Sequence, residues 1–187
     1  MQHLVHLFAT LLDYPSPALP DVARECADLV APLSVEAAGI VGDFQSLAAS
    51  TDLGRMEEIY TGFFELNAMA YPYVGYHLFG ETYKRSVFLL GLQECYAAHN
   101  YTHGVELADH LVVILRFVAE CPDEAAVDEL VNEALLPTLA KMAGTSAEDE
   151  TGEVESAAFQ RGYSIYQRLL HALQLTLEAL RCEAVAT

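Results

Sequence analysis

Apolar residues recur at intervals of three and four along most of this 187-residue chain, and that spacing constrains the fold more than any other feature. It is the period of an α-helix with one buried face, whereas the alternating period of a β-strand is nearly absent. Apolar residues make up 53% of the chain, which is enough to bury a substantial core. We therefore expect an all-α fold, a single-domain bundle of about seven to nine helices over residues 1–187.

Helix breakers and capping residues predict where the individual helices begin and end. Ser34 and either Thr51 or Asp52 are suited to cap two helices, because their side-chain oxygens accept a hydrogen bond from a free backbone N–H group. Pro137 predicts a kink or a new start within the helical segment 123–141. The acidic run 144–156 predicts a mobile connection. The other predicted helices cover about 4–12, 21–31, 34–47, 52–64, 81–99, 109–120 and 157–183.

The chain is strongly acidic, with 27 acidic and 9 basic residues and a formal net charge of −18. This charge repels phosphate backbones and anionic lipids, so neither nucleic acid nor membrane insertion is expected. A cationic peptide would be attracted, although an acidic surface also serves solubility or a salty habitat. Residues 1–15 lack the basic segment and cleavage site of a secretory signal, and no run approaches the ~18 apolar residues of a membrane span. The expected location is the cytoplasm.

Sequence motifs for catalysis and metal binding are missing. The chain contains no glycine-rich phosphate loop, no nucleophile elbow and no paired-histidine metalloprotease helix, so we do not expect an enzyme. Its four cysteines stand far apart, and we expect reduced thiols without a metal role. His99 and His103 are four residues apart, but the helix that would align them is expected to end near them. The cysteines are Cys26, Cys95, Cys121 and Cys182.

The segment 104–117 opens with three ionisable residues, Glu106, Asp109 and His110, and continues as an unbroken apolar run. Asp109 is expected to cap the helix that starts there, since a carboxylate is favoured at the positive end of a helix dipole. A catalytic acid–histidine pair is disfavoured, because neighbouring residues on a helix point about 100° apart. The cluster can hold a loop against a neighbouring helix or offer acceptors to an incoming Arg or Lys, and the residues alone leave both uses open.

A second segment, 67–80, interrupts the helical rhythm with Pro72, two glycines and several aromatic rings. We expect an ordered loop here. Its rings can line a groove for an apolar peptide or roof the core, and tyrosine suits either use because it combines an apolar ring with a polar end. The rings belong to Tyr71, Tyr73, Tyr76 and Phe79.

Three stretches carry a family resemblance, and they read EEIYTGFFELN (57–67), YPYVGYHLFGETYKRSVFLLGLQECY (71–96) and VELADHLVVILRFVAE (105–120). In order and spacing they resemble the redox-enzyme maturation chaperones of the NarJ/TorD/DmsD family, most closely the nitrate reductase assembly (NarJ-type) branch. The resemblance covers about residues 4–139. The family pattern of an acidic residue, usually a proline, and Asp-His matches Glu106, Asp109 and His110, while Ala108 stands where the nitrate reductase branch has proline.

The resemblance implies a TorD-like, all-helical chaperone that is not an enzyme. Such proteins bind the N-terminal segment, often a twin-arginine signal or its remnant, of the apo catalytic subunit of a molybdoenzyme. They assist insertion of the molybdopterin cofactor before export or membrane docking, and hold no cofactor stably themselves. A cytosolic monomer or dimer serving a nitrate reductase-like client is therefore expected. The peptide-binding residues implied by the resemblance are Glu106, Asp109, His110, Tyr76, Phe79, Glu81 and Arg85.

Two other functions stay open at this point. A helical adaptor of the same fold would bind a different protein partner, and its partner would not be a molybdenum enzyme subunit lacking its cofactor. An enzyme using a metal or nucleotide through the histidines or through Cys95 and Cys121 would contain stoichiometric metal. The sequence does not specify the client, its substrate, any contact with the cofactor, or the oligomeric state.

Overall fold

The computed structural model describes residues 1–66, 70–144 and 157–185, and these ranges are helical without a β-strand. The all-α prediction is confirmed. The helices are α1 (Gln2–Leu11), α2 (Leu19–Val30), α3 (Val35–Ser50), α4 (Leu53–Phe64), α5 (Val74–Phe79), α6 (Tyr83–Ala98), α7 (Leu111–Glu120), α8 (Glu124–Leu130), α9 (Leu136–Gly144) and α10 (Ala157–Val185).

Side-chain caps begin several of these helices. The Ser34 hydroxyl accepts a hydrogen bond from the Ala37 N–H at 3.2 Å, and Asp52 rather than Thr51 accepts one from the Arg55 N–H at 3.0 Å. Both interactions satisfy backbone donors that have no partner in the first turn of a helix. The predicted caps at these two positions are confirmed, whereas α2 begins two residues earlier than expected, at Leu19.

The helical segment continues through Pro137 instead of ending there. A π-helical turn, Val131–Leu135, connects α8 to α9 without a break, and Pro137 is the second residue of α9. Proline has no N–H group to donate, and its ring collides with the carbonyl four residues earlier. A wider turn directly before the proline relieves that collision, so the predicted kink takes the form of a local change in helix pitch.

The core is layered around α7 and α10. Helix α1 packs against α7 and α2, while α10 packs against α3, α4 and α9. Eight of the ten residues of α7 are buried, so the apolar run that follows His110 is an interior helix. In α10 the buried ring of Tyr166 is surrounded by aromatic neighbours at centroid distances of 5.3–5.9 Å. These neighbours are Phe44, Tyr60, Phe63 and Phe64.

Helix α6 is less enclosed than the other long helices. Its inner side places Leu92 and Tyr96 in the core, and Phe88 packs on Phe79 of α5 at 5.5 Å between ring centroids. The Tyr96 hydroxyl donates to the Ala108 carbonyl oxygen at 2.9 Å, which ties α6 to the segment before α7. The outer side of α6 is exposed to solvent.

Two predicted connections differ in outcome. The expected ordered loop 67–80 is corrected in part, because its second half forms α5, Val74–Phe79, which Gly80 ends at a positive φ of 63°. Glycine tolerates that conformation because it has no Cβ atom. The predicted mobile connection 144–156 lies outside the described residues, apart from Gly144 at the end of α9.

Two buried tyrosines provide a matched test of hydrogen bonding in this core. The Tyr166 hydroxyl has no partner among the described residues, whereas the Tyr96 hydroxyl donates to Ala108. A buried hydroxyl without a partner costs free energy, and a satisfied one contributes about 1 kcal/mol. We expect Tyr166→Phe to leave the free energy of unfolding unchanged or raise it, and Tyr96→Phe to lower it by about 1 kcal/mol. Chemical denaturation checks both, and equal losses would contradict the hydrogen-bond assignment.

Candidate functional site

The aromatic segment and the start of α7 are joined through their backbones. The Val74 N–H donates to the Asp109 carbonyl at 2.8 Å, and the Leu111 N–H donates to the Pro72 carbonyl at 2.7 Å. These bonds form an isolated antiparallel bridge between Tyr73 and His110. Two segments that look unusual in the sequence therefore meet in one place.

A buried ion pair fixes this junction to α6. Asp109 is fully buried, and its Oδ2 accepts a hydrogen bond from Arg85 Nε at 2.8 Å, while Arg85 Nη2 lies 3.4 Å from Oδ1. The guanidinium also lies over the Tyr73 ring, 5.4 Å from its centroid. A charged pair with this geometry orients both partners, because arginine presents its donors as a rigid planar group.

Gly75 allows the ion pair to lie directly beside α5. A Cβ atom at this position would lie 2.7 Å from Asp109 Oδ2, 3.0 Å from Phe88 Cδ1 and 3.1 Å from Arg85 Cγ. All three distances are shorter than ordinary van der Waals contact. Glycine is therefore needed here for close approach, and any side chain would displace the buried carboxylate or its arginine.

The predicted cap is wrong in one respect, since His110 and not Asp109 caps α7. The His110 Nδ1 atom accepts a hydrogen bond from the Val112 N–H at 3.3 Å, and the helix begins at Leu111 rather than near Asp109. The Asp109 side chain is directed to Arg85 instead. A guanidinium partner takes both carboxylate oxygens, which leaves the neutral imidazole nitrogen as the acceptor at the helix start.

The environment of His110 favours its neutral form. The residue is 7% exposed, and its ring meets the Tyr73 ring edge-on at 5.4 Å. Burial lowers the pKa of His110, and the carboxylates of Glu106, Asp13 and Asp109 offset this only in part. Because Nδ1 accepts a hydrogen bond, the neutral ring carries its proton on Nε2. The positively charged imidazolium is therefore not the favoured state of His110.

The turn before His110 separates a buried from an exposed carboxylate. The His110 N–H donates to the Leu107 carbonyl at 3.0 Å, so Ala108 and Asp109 are the central residues of a tight turn. Ala108 is the first of these, a position that also suits the fixed φ of proline. Glu106, just before the turn, is exposed, and Val105 and Leu107 beside it are 101% and 49% exposed. Of the two predicted acidic acceptors, only Glu106 faces solvent.

An acidic surface gathers around this turn from four parts of the chain. We use that name for Asp13, Glu65 and Glu106 together with the half-buried Tyr73, and these three carboxylates also act on the buried ring of Tyr60. Burial raises the pKa of Tyr60, and the charges of Asp13, Glu65 and Glu106 raise it further. The pKa of Tyr73 is raised by burial and then by Glu106 and Asp109, with a smaller contribution from Glu65. The carboxylates therefore act together on one set of rings.

Sequence reasoning missed Asp13 and Glu65 as site residues. Asp13 directly follows the end of the first helical segment, and its carboxylate pairs with Arg116 of α7 at 2.5 Å. Glu65 is the C-cap residue of α4 and is exposed. Neither has a local motif, and the only signal in the sequence was the overall acidic charge. Next to them, Tyr14 and Leu66 are exposed apolar residues, at 52% and 79%.

The other predicted peptide-binding residues lie on α5 and around the start of α6. Tyr76 is half-buried against Tyr71 and His77, with ring centroids 5.6 and 5.5 Å apart, and Phe79 packs on Phe88. Among the described residues, the ring contacts of Tyr76 and Phe79 are with these neighbours rather than with the Glu106–His110 turn. Glu81 is exposed before α6, and Arg85 holds Asp109.

The Cys95 and His99 region resembles a catalytic arrangement only at first sight. His99 Nδ1 bonds to the Cys95 carbonyl oxygen at 2.9 Å, and its Nε2 lies 3.4 Å from Asp123 Oδ2. The pKa of the Cys95 thiol is raised, chiefly by burial, which disfavours the thiolate that a nucleophile needs. Within 1–66, 70–144 and 157–185, no three His, Cys, Asp or Glu side chains are placed to hold a metal.

A cleft of 420 Å³ lies between α3 and α10, and its residues are distant in sequence from the Glu106–His110 turn. Two side-chain contacts already cross the cleft: Arg168 pairs with Asp43 at 2.7 Å, and the His171 ring lies 3.8 Å from the Glu36 carboxylate. An incoming small molecule would have to break these pairs. The acidic surface, with its exposed Glu65 and Glu106, offers free acceptors instead.

The fold and the site together define an all-helical protein that presents exposed carboxylates beside Tyr73 at the start of α7. A family model for the nitrate reductase delta subunit matches residues 30–148, which is more than half of the chain. The chain therefore belongs to the nitrate reductase delta subunit family, a family of maturation chaperones. The resemblance found in the sequence motifs is confirmed.

A solved structure supports the fold independently. The chain is similar to a protein from Archaeoglobus fulgidus assigned to redox enzyme maturation, with a TM-score of 0.58 and 17% sequence identity over 92% of this chain and 93% of that one. At this identity the likeness concerns the fold alone. No curated protein matches the chain at a significant level. None of the described helices is long and apolar enough to cross a membrane.

The buried ion pair predicts a specific loss of stability. Asp109→Ala leaves the Arg85 charge without its partner, 19% exposed, and should lower the free energy of unfolding by about 2–3 kcal/mol. The double variant Asp109→Ala with Arg85→Ala should lose less free energy of unfolding than the two single variants together, because it leaves no charge without a partner. Urea denaturation of the four proteins measures this coupling.

A matched control for the ion pair is the exposed pair between Arg168 and Asp43, whose side chains are 48% and 58% exposed. Asp43→Ala should change the free energy of unfolding by less than about 1 kcal/mol. Equal effects of Asp43→Ala and Asp109→Ala would contradict the structural role of the buried pair.

The neutral cap at His110 predicts a dependence of stability on pH. The unfolded chain binds a proton on this ring near pH 6.5, whereas the folded chain does so only at lower pH. The contribution of His110 is therefore full above pH 6.5 and falls as the pH decreases below that value. His110→Asn keeps a capping acceptor that does not titrate, so its stability should fall less between about pH 7 and pH 5.5. Denaturation midpoints across this range test it, and identical slopes would contradict the assignment.

Proposed function

We propose that this chain is a system-specific cytoplasmic chaperone that binds the N-terminal peptide of a molybdoenzyme catalytic subunit, most closely of the nitrate reductase type. The peptide is a twin-arginine signal or its remnant. Binding keeps the apo subunit available for insertion of the molybdopterin cofactor before export or membrane docking. The chaperone assists that insertion without holding the cofactor stably.

The observation that carries this proposal is the acidic surface with its exposed Glu65 and Glu106. Arginine side chains of a peptide gain charge-assisted hydrogen bonds from such carboxylates, and their guanidinium planes stack on tyrosine rings. Tyr73 already lies beneath one guanidinium, that of Arg85, so its ring environment is suited to cations. The net charge of −18 adds long-range attraction for a basic peptide.

Apolar parts of the peptide have nearby contacts as well. Val105 and Leu107 flank Glu106, and Tyr14 packs edge-on against Tyr60 at 5.5 Å while remaining 52% exposed. Exposed apolar side chains mixed with carboxylates fit a segment that alternates basic and apolar residues. Further apolar and acidic side chains continue toward α6: the half-buried rings of Tyr76 and Phe79, and the exposed Glu81.

The seven predicted binding residues then divide by role. We assign direct contact with the peptide to Glu106 and, farther along, to Tyr76, Phe79 and Glu81. Asp109 and Arg85 are positioning residues, because their charges are paired with each other. His110 caps α7 and keeps a second positive charge away from the surface. Glu65 is added to the direct contacts, whereas Asp13 is already paired with Arg116.

Calorimetric titration tests this function with a synthetic peptide that carries paired arginines followed by a helical apolar run. The double variant Glu65→Gln with Glu106→Gln should weaken binding about tenfold, because two charge-assisted contacts of up to about 1 kcal/mol each are lost. Affinity should also fall as the salt concentration rises. Changing both peptide arginines to glutamine should cause a similar loss.

The control variant is Asp28→Asn, which removes one exposed carboxylate on α2 that is not among the charges acting on Tyr60 or Tyr73. It should leave the affinity within about twofold of the original. If Asp28→Asn weakens binding as much as the double variant, the attraction is only the net charge. If the peptide does not bind at all, and cytosolic pull-down yields a partner other than a molybdoenzyme subunit, the chain is an adaptor of the same fold.

A further inference from the structure

The outer side of α6 carries an apolar face that nothing in the described part of the chain covers. Tyr83, Val87 and Leu90 recur at helical spacing and are 82%, 51% and 56% exposed. Glu94, four residues after Leu90, lies on the same side, together with the exposed small residues Gly91, Ala97 and Ala98. A row of this kind on a chain with 27 acidic residues is unusual, because solvent-facing helix surfaces are normally polar.

We propose that this face, the α6 outer face, pairs with the same face of a second copy of the chain, with the two helices antiparallel about a two-fold axis near Leu90 and Gly91. The first reason is charge. Lys84 and Glu94 are the exposed charged residues within Tyr83–Ala98, and they lie ten residues apart, about 15 Å along the helix. Antiparallel pairing brings Lys84 of one copy within about one helical turn of Glu94 of the other, twice per dimer.

The second reason is the distribution of side-chain size. In the antiparallel register the large Tyr83 ring faces Ala97 and Ala98 of the second copy, Leu90 faces Gly91, and Val87 faces the alkyl part of Glu94. Outside α6 itself, no atom of the described residues lies within 4 Å of the Cβ position at Gly91, so a second helix can approach closely there. Large residues opposite small ones let two helix surfaces interlock. A parallel pair would instead place Lys84 beside Lys84 and Tyr83 beside Tyr83.

The expected dimer is weak and depends on salt. One pair of 16-residue helices is about 24 Å long, and it buries less than the roughly 1,200 Å² at which stable complexes begin. Each copy also carries a net charge of −18, so repulsion opposes association until salt screens it. Association should therefore strengthen as salt is added, opposite to the salt dependence of peptide binding.

The dimer leaves the acidic surface accessible. Arg85, which holds Asp109, lies on the inner side of α6 together with Leu92 and Tyr96, whereas Tyr83, Val87 and Leu90 lie on the opposite side. The side of α6 that holds the ion pair is therefore not the side that would meet a second copy. Failure of one proposal does not remove the other.

Sedimentation equilibrium of the full chain in about 0.5 M salt tests the dimer. We expect a monomer–dimer equilibrium in which Leu90→Glu raises the dissociation constant at least about tenfold, because each dimer contains the change twice. Lys84→Glu and Glu94→Lys should each raise it several-fold. The double variant Lys84→Glu with Glu94→Lys should return it toward the original value, since opposite charges face each other again.

Two control variants apply the same chemical changes elsewhere. Arg24→Glu reverses an exposed charge on α2, and Val35→Glu alters an apolar residue of α3 that is 83% exposed. Neither should change the dissociation constant by more than about twofold. A chain that stays monomeric, a dimer unaffected by Leu90→Glu, or absence of rescue in the charge-swapped variant would each overturn the proposal. So would loss of peptide binding by Leu90→Glu with unchanged association, which would assign the face to the client.

Discussion

The buried pair of Arg85 and Asp109 is the interaction on which the geometry of the site depends. It connects the first turn of α6 to the residue before the cap of α7, and it lies against Gly75 of α5 with no room for a side chain between them. The backbone of Asp109 also accepts a hydrogen bond from Val74. One residue thus links three helices, and its burial is tolerated only because the guanidinium offsets the cost of removing the carboxylate from water.

This arrangement determines which charges reach the surface. Because Asp109 pairs with Arg85, His110 caps α7 instead. Its imidazole stays neutral because it is buried and its Nδ1 accepts a hydrogen bond. The positive charge of Arg85 is neutralised by Asp109. The unpaired charges that remain exposed around the turn are therefore those of Glu106 and Glu65, which both act on the rings of Tyr60 and Tyr73, while Asp13 is paired with Arg116. A fixed internal ion pair produces an acidic outer surface.

Helical period and capping chemistry were sufficient to predict the all-α class, the caps at Ser34 and Asp52, and the perturbation before Pro137. These features depend on residues within one or two turns of each other. Tertiary pairing was not predictable in the same way. Asp109 has the local signature of a cap, and nothing within five residues indicates that an arginine 24 positions earlier takes its carboxylate. The short helix α5 was missed because its six residues are stabilised by contacts with α6 and α9 rather than by helical periodicity.

The motif of an acid followed by Asp-His contains one exposed and one buried carboxylate, although their close spacing suggests that both face the same way. Glu106 and Asp109 are three residues apart, yet the turn closed by Leu107 and His110 directs one to solvent and the other to the interior. The difference arises from partners outside the motif: the Tyr96 hydroxyl bonded to the Ala108 carbonyl, and Arg85 and Gly75 around Asp109. A binding role assigned to the motif as a whole therefore has to be divided. The buried acid holds the turn in place, and the exposed acid is the one that a cationic partner can reach.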